Sequence, residues 1–201
     1  MLFLANLAYS SLPVFLPRIV ADMGHAPLAA QALSAPPFLL AFVLVLATAH
    51  LSDRCRARTL PMAGHALASA VAYALLASAH RLRLAPLLRY LAVFPAAAGF
   101  FSVVTLLIAW SLNNQANHAR QRAAFVLMQL VGQCGPFVGI RLYPDADAPY
   151  YSRGMEACAC AMFSVAVLAL VLRFYLVRCN RLADTHQESK PASQPPFKYI
   201  L

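Results

Sequence analysis

Five long apolar runs, at residues 34–52, 60–79, 90–112, 123–140 and 157–177, dominate this 201-residue chain. Each is close to the ~20 residues with which an α-helix crosses a ~30 Å hydrocarbon core. Charges or prolines bound every run, and almost nothing ionisable lies inside. Lipid offers backbone groups no water, so such runs fold as helices that satisfy their own hydrogen bonds. The stretch FLLAFVLVL at residues 38–46 is apolar around its whole circumference, leaving no polar face for solvent. Only 11% of the chain is charged, where a soluble domain carries about a quarter. With a shorter apolar run at residues 1–17, the expected fold is all-α, a polytopic transmembrane bundle of about six helices.

The first run is interrupted by Pro13 and Pro17 and is too short to span comfortably. It reads as the outer part of a longer helix whose beginning is cut off. Pro36 and Pro37 are expected to open the second span, where a missing N–H does little harm. Residues 1–181 then form the membrane domain. Residues 182–201, with Pro191, Pro195 and Pro196, are expected to be a disordered tail. Even-numbered connections and the tail hold nine Lys and Arg (Arg54, Arg56, Arg58, Arg120, Arg122, Arg178, Arg181, Lys190, Lys198), against six in the odd ones (Arg18, Arg81, Arg83, Arg89, Arg141, Arg153). Positive-inside counting therefore puts the tail in the cytosol.

Several function classes drop out. The net charge of +9 sits in short clusters between apolar runs, not in a basic stripe interleaved with aromatics, which excludes nucleic-acid binding. Cys55, Cys134, Cys158, Cys160 and Cys179 lack metal-ligand spacing and read as small apolar filler. No HExxH, GxSxG or phosphate loop occurs, so the chain is not expected to be an enzyme or to need a cofactor or metal. The partners that remain are the lipid bilayer and whatever small molecule the polar intramembrane residues contact.

Those residues are few. Asn6 and Tyr9, three apart in the first run, and Gln129 and Gln133, four apart in the run at residues 123–140, must face other helices or a wet cavity, because unpaired amides in hydrocarbon are costly. They are the candidates for a substrate pathway; interhelical hydrogen bonding is the alternative use. Gly132, Gly135 and Gly139 in GQCGPFVG let a neighbouring backbone approach, and Pro136 removes one helical hydrogen bond and invites a bend. That combination serves ordinary packing or gating. Trp110 reads as an interfacial anchor and Arg173 as a snorkelling residue near the end of its span.

The turn Ala49-His-Leu-Ser-Asp53-Arg54-Cys-Arg56-Ala-Arg58 resembles the signature G-x-x-x-D-R-x-G-x-R-R of the major facilitator superfamily, matching at Asp53, Arg54 and Arg58 and departing at Ala49, Arg56 and Thr59. FLPRIVADMG followed by AQALSAPPF, then WSLNNQANHARQR and RLYPDADAPYYSRG, look like fungal allantoate-permease-type members, the anion:cation symporters. Asn117 stands where a glycine is usual. The resemblance covers most of residues 15–181 and implies the C-terminal six helices of a twelve-helix secondary transporter. It further implies a small organic anion (a carboxylate, vitamin or ureide) moved by alternating access across the plasma membrane, coupled to a cation gradient. Asp53, Arg54 and Arg58 would form a conformational lock, and a partnering N-terminal half would be missing. The alternative is a non-transporting truncated membrane protein, or a partner-binding regulator of a full-length transporter.

Overall fold

A computed structural model describes residues 1–24, 26–55, 57–115, 117–189 and 199–200. Among the described residues the fold is overwhelmingly helical, with no strand. The helices are α1 (Leu2–Ala21), α2 (Pro27–Cys55), α3 (Thr59–Ala77), α4 (Pro86–Asn113), α5 (His118–Gly132), α6 (Cys134–Gly139) and α7 (Ser152–Ser189), with a 3-10 turn at Asp145–Asp147 before α7. Five of them, α1, α2, α3, α4 and α7, are long and apolar enough to cross a membrane.

Four expectations change. The first run is not too short: α1 continues through Pro13 and Pro17 to Ala21, and its 20 residues span about 30 Å. Pro36 and Pro37 do not open α2, which starts at Pro27 and carries both prolines inside it. The run at residues 123–140 is not one helix but two, split at Gln133. The expected tail is helical as far as Ser189, since no glycine or proline interrupts residues 182–189. The prolines expected to disorder the tail, like Arg56 of the signature, lie outside the described residues.

α3 lies between α4 and α7 and packs most extensively on both, while α1 touches α2, α4, α5, α6 and α7. Small residues bring α3 and α4 together: a side chain at Gly99 would collide with Ser69 and the His65 carbonyl. Ser69 Oγ donates across that seam to the Ala96 carbonyl at 3.1 Å. The fully buried Tyr73 fills the space towards α1, its hydroxyl 3.4 Å from the Ala8 carbonyl. Large apolar side chains of α2, α5, α6 and α7, such as Phe42, Leu127, Phe137 and Phe174, point outward, as lipid-facing helices require.

Candidate functional site

The split between α5 and α6 follows from the chemistry of Pro136. Proline has no N–H, so the carbonyl four residues earlier, that of Gly132, has no helical donor. Asn6 of α1 fills that role: its Nδ2 donates to the Gly132 oxygen at 3.1 Å. Asn6 is only 5% exposed, so its amide is committed to the break in α5–α6 and does not face open space. The glycines complete the seam. A side chain at Gly132 would strike Leu2, one at Gly135 the Phe3 carbonyl and Leu7 N–H, and one at Gly139 Ser10 and the Leu7 carbonyl. Gln133 is exposed at the break and its N–H closes the last turn of α5 on the Gln129 carbonyl at 2.8 Å. Among the described residues neither glutamine side chain bonds to Asn6 or Tyr9.

A second proline joint obeys the same rule. Pro37 deprives the Leu33 carbonyl of its donor, and Tyr90 of α4 supplies the replacement at 2.8 Å. Neither pairing was visible in the sequence, because each donor lies far from its proline along the chain.

Tyr9 stands apart from Asn6. It is 41% exposed and meets Phe100 and Phe101 edge-on, with ring centroids 5.8 and 5.3 Å away. Phe38 of α2 continues the set, 6.0 Å from Phe101. Phe38, Phe42, Phe101 and Thr105 line a hollow of about 180 Å³ between α2 and α4. This aromatic ledge was missed in the sequence, where phenylalanines in a span read as core or lipid-facing filler.

The residues of the signature turn do converge, in part. Arg58 Nη2 bonds Asp53 Oδ1 at 2.5 Å, closing the α2–α3 turn. Arg58 Nη2 and Nη1 also lie 2.9 and 3.2 Å from the Asn113 amide oxygen, in the orientation that satisfies both groups. The Arg58 side chain is 13% exposed and so ties the turn to the end of α4. Arg54 has no part in that cluster. Nearby, Arg173 donates to Thr59 Oγ1 at 3.1 Å instead of merely reaching for the interface. Trp110 is buried, its indole N–H on the Ile200 carbonyl at 2.8 Å, so it holds the chain's end and is not an exposed anchor. Asn117 caps α5, its Oδ1 accepting from Ala119 N–H at 2.9 Å, in an extended conformation that needs no glycine.

The opposite end is closed by the loop after α6. Arg18 Nη1 pairs with Asp145 Oδ1 at 2.6 Å, and Tyr151 donates to Asp22 Oδ2 at 3.1 Å. Burial raises the Tyr151 pKa, and the hydrogen bond to Asp22 raises it further. Burial also pushes the Tyr143 hydroxyl well up; its ring stacks on Phe15 at 4.9 Å.

Comparison with known proteins adds identity to this geometry. The chain is 28% identical to the MFS-type transporter cnsO of Penicillium expansum, over 84% of this chain and 33% of that protein. It is 33% identical to the MFS transporter prlL of a Fungal sp. (strain NRRL 50135), over 86% of this chain and 35% of that protein. These homologues support the major facilitator superfamily. The high-affinity nicotinic acid transporter of Saccharomyces cerevisiae is 24% identical over 99% of this chain and 39% of its own length. The chain thus spans a third to two-fifths of these relatives. All are named as transporters, which are not enzymes, and apolar helices together with such homologues make this an integral multi-pass membrane protein. No family model matches the chain. No solved structure matches it either.

Proposed function

We propose that this chain is the C-terminal, six-helix half of a major facilitator secondary transporter that moves a small organic anion by alternating access, coupled to a cation gradient. The observation that carries the reading is the similarity of nearly the whole chain to a limited part of proteins named as transporters. The order of the fungal loop motifs favours the allantoate-permease, anion:cation symporter-like group. It also favours the plasma membrane, with the chain's C-terminal end in the cytosol.

Within that reading the facing N-terminal half supplies the other wall of the cavity. Tyr9 contributes a hydroxyl and, with Phe38 and Phe101, a stacking surface suited to a planar carboxylate of the kind named for the yeast relative. Gln129 and Gln133 supply amides beside the break in α5–α6. Asn6 acts one step removed, holding that break, while Gly132, Gly135, Pro136 and Gly139 let α6 shift on α1. Asp53 and Arg58 hold the α2–α3 turn to α4 in one conformation, with Arg54 free to engage the other half.

The test is uptake. The chain, co-reconstituted with a six-helix N-terminal half in proteoliposomes, accumulates labelled nicotinate when a proton gradient is imposed, and Tyr9→Ala with Phe101→Ala reduces the uptake at least tenfold. Absence of uptake across a panel of carboxylates, vitamins and ureides overturns the reading.

A further inference from the structure

At the end of the bundle remote from the Asp53–Arg58 turn, two hollows of about 360 and 720 Å³ adjoin and share His80 and Tyr150. Arg81 and Arg83 line the larger, and Arg153 and Asp147 the smaller. Three arginines thus face one carboxylate. The shared wall is braced from behind. Arg89, 7% exposed, lies 4.6 Å from the centre of the Tyr150 ring and donates to the Pro149 carbonyl at 3.1 Å. The His80 ring also packs on Tyr150, with ring centroids 4.8 Å apart.

We propose that this braced hollow seats the phosphate of an anionic phospholipid headgroup. An oxyanion is the chemistry that arginine forks recognise, in pairs of parallel N–H bonds. A soluble anion could offer the same group, but the position favours a lipid. The hollow lies where α3 ends at Ala77, α4 begins at Pro86 and α7 begins at Ser152, which is the level of the headgroups for helices that cross the hydrocarbon. Leu87, Leu88 and Leu91 are exposed on the first turns of α4, giving acyl chains an apolar track beneath the charged site. Basic pockets between transmembrane helices bind anionic headgroups at cytoplasmic and matrix faces, and the orientation proposed above sets this one in the opposite leaflet. This inference is independent of what the protein transports.

The experiment is native mass spectrometry of the full chain released from nanodiscs that contain phosphatidylcholine with a minor fraction of phosphatidylglycerol. The wild-type chain retains phosphatidylglycerol in preference to phosphatidylcholine. Arg81→Gln/Arg83→Gln lowers that retention by roughly thirty-fold, and Arg81→Lys/Arg83→Lys, which keeps the charge but not the fork, loses part of it. Arg120→Gln/Arg122→Gln, at the other end of the bundle, leaves it unchanged. Circular dichroism of each variant matches wild type, since the substituted arginines are exposed. Unchanged retention in Arg81→Gln/Arg83→Gln overturns the proposal, as does an equal loss in Arg120→Gln/Arg122→Gln, which would make the effect a general attraction of positive charge. A third arm adds inorganic phosphate to chain in phosphatidylcholine alone. Arginine-dependent phosphate binding there, without phosphatidylglycerol preference, would assign the hollow to a free anion and overturn the lipid source.

Discussion

Pro37 and Pro136 pose the same problem to their helices and receive the same remedy, yet one helix stays whole and the other divides. In both, the carbonyl left without a helical donor accepts from a side chain of another helix, Tyr90 at Leu33 and Asn6 at Gly132. α2 nevertheless runs unbroken for 29 residues, while α5 and α6 separate at Gln133. The difference lies in the neighbours. Pro136 is flanked by Gly132, Gly135 and Gly139, which stabilise a helix poorly but fit closely on α1. Proline alone bends a membrane helix; proline among glycines that are packed through their backbones makes a joint.

The largest effect is expected where that joint is filled. Gly135→Leu forces α6 off the Phe3–Leu7 backbone and costs about 3 kcal/mol or more, read from unfolding in mixed micelles. Gly64→Leu, whose position opens onto free space on α3, costs less than about 0.5 kcal/mol. Equal losses at the two glycines would remove the distinction between joint and scaffold.

Next comes the pairing itself. Asn6→Leu leaves the Gly132 carbonyl unsatisfied and costs about 1–2 kcal/mol. In a Pro136→Ala background the helix supplies its own donor, and the cost of Asn6→Leu falls below about 0.5 kcal/mol. Tyr90→Phe with Pro37→Ala repeats the cycle at the other joint, with coupling of the same sign. Additive costs in either cycle would show that the side chain does not substitute for the lost N–H.

A smaller effect concerns the start of the divided helix. Asn117→Ala removes the cap of α5 and costs about 1 kcal/mol, with faster amide exchange confined to the first turn of α5. Glycine there, as in the resembling proteins, costs only a few tenths. A larger loss with glycine than with alanine would contradict the capping account.

The smallest is a pH effect at the closed end. The Tyr151 pKa is raised in the folded chain, so the folded state holds that proton more firmly than the unfolded one. Its contribution is therefore complete below the ordinary tyrosine value of 10.0 and declines as pH rises beyond it towards the folded value. Melting temperature should fall more steeply above pH 10 in wild type than in Tyr151→Phe. Parallel slopes would mean that the Tyr151–Asp22 contact does not report on stability.

How much of this was legible beforehand depended on range. The helices announced themselves because hydropathy over about twenty residues is a local property that lipid enforces. Gly135 and Pro136 marked a close approach and a bend for the same local reason. What the glycines approach, and which donor answers each proline, depends on pairings such as Asn6 with Gly132, 126 residues apart, that no pattern along one strand of sequence encodes. Asn6 and Tyr9 therefore looked alike as polar residues in a span, and only packing separates a buried brace from an exposed phenol. The length of α1 was misjudged because Pro13 and Pro17 were read as stops, whereas a membrane helix tolerates proline when its surroundings supply the missing contacts.

The most direct measurement is the distance distribution across each joint, by electron-electron resonance of spin labels on a cysteine-free chain in nanodiscs. Labels at Val126 and Ile140 bracket the α5–α6 break, and labels at Leu28 and Leu46 bracket Pro37; all four positions are exposed. Two populations across the break, with a single narrow one across Pro37, are predicted. A single narrow distance across both would contradict the claim that the break between α5 and α6 is the moving joint of this chain.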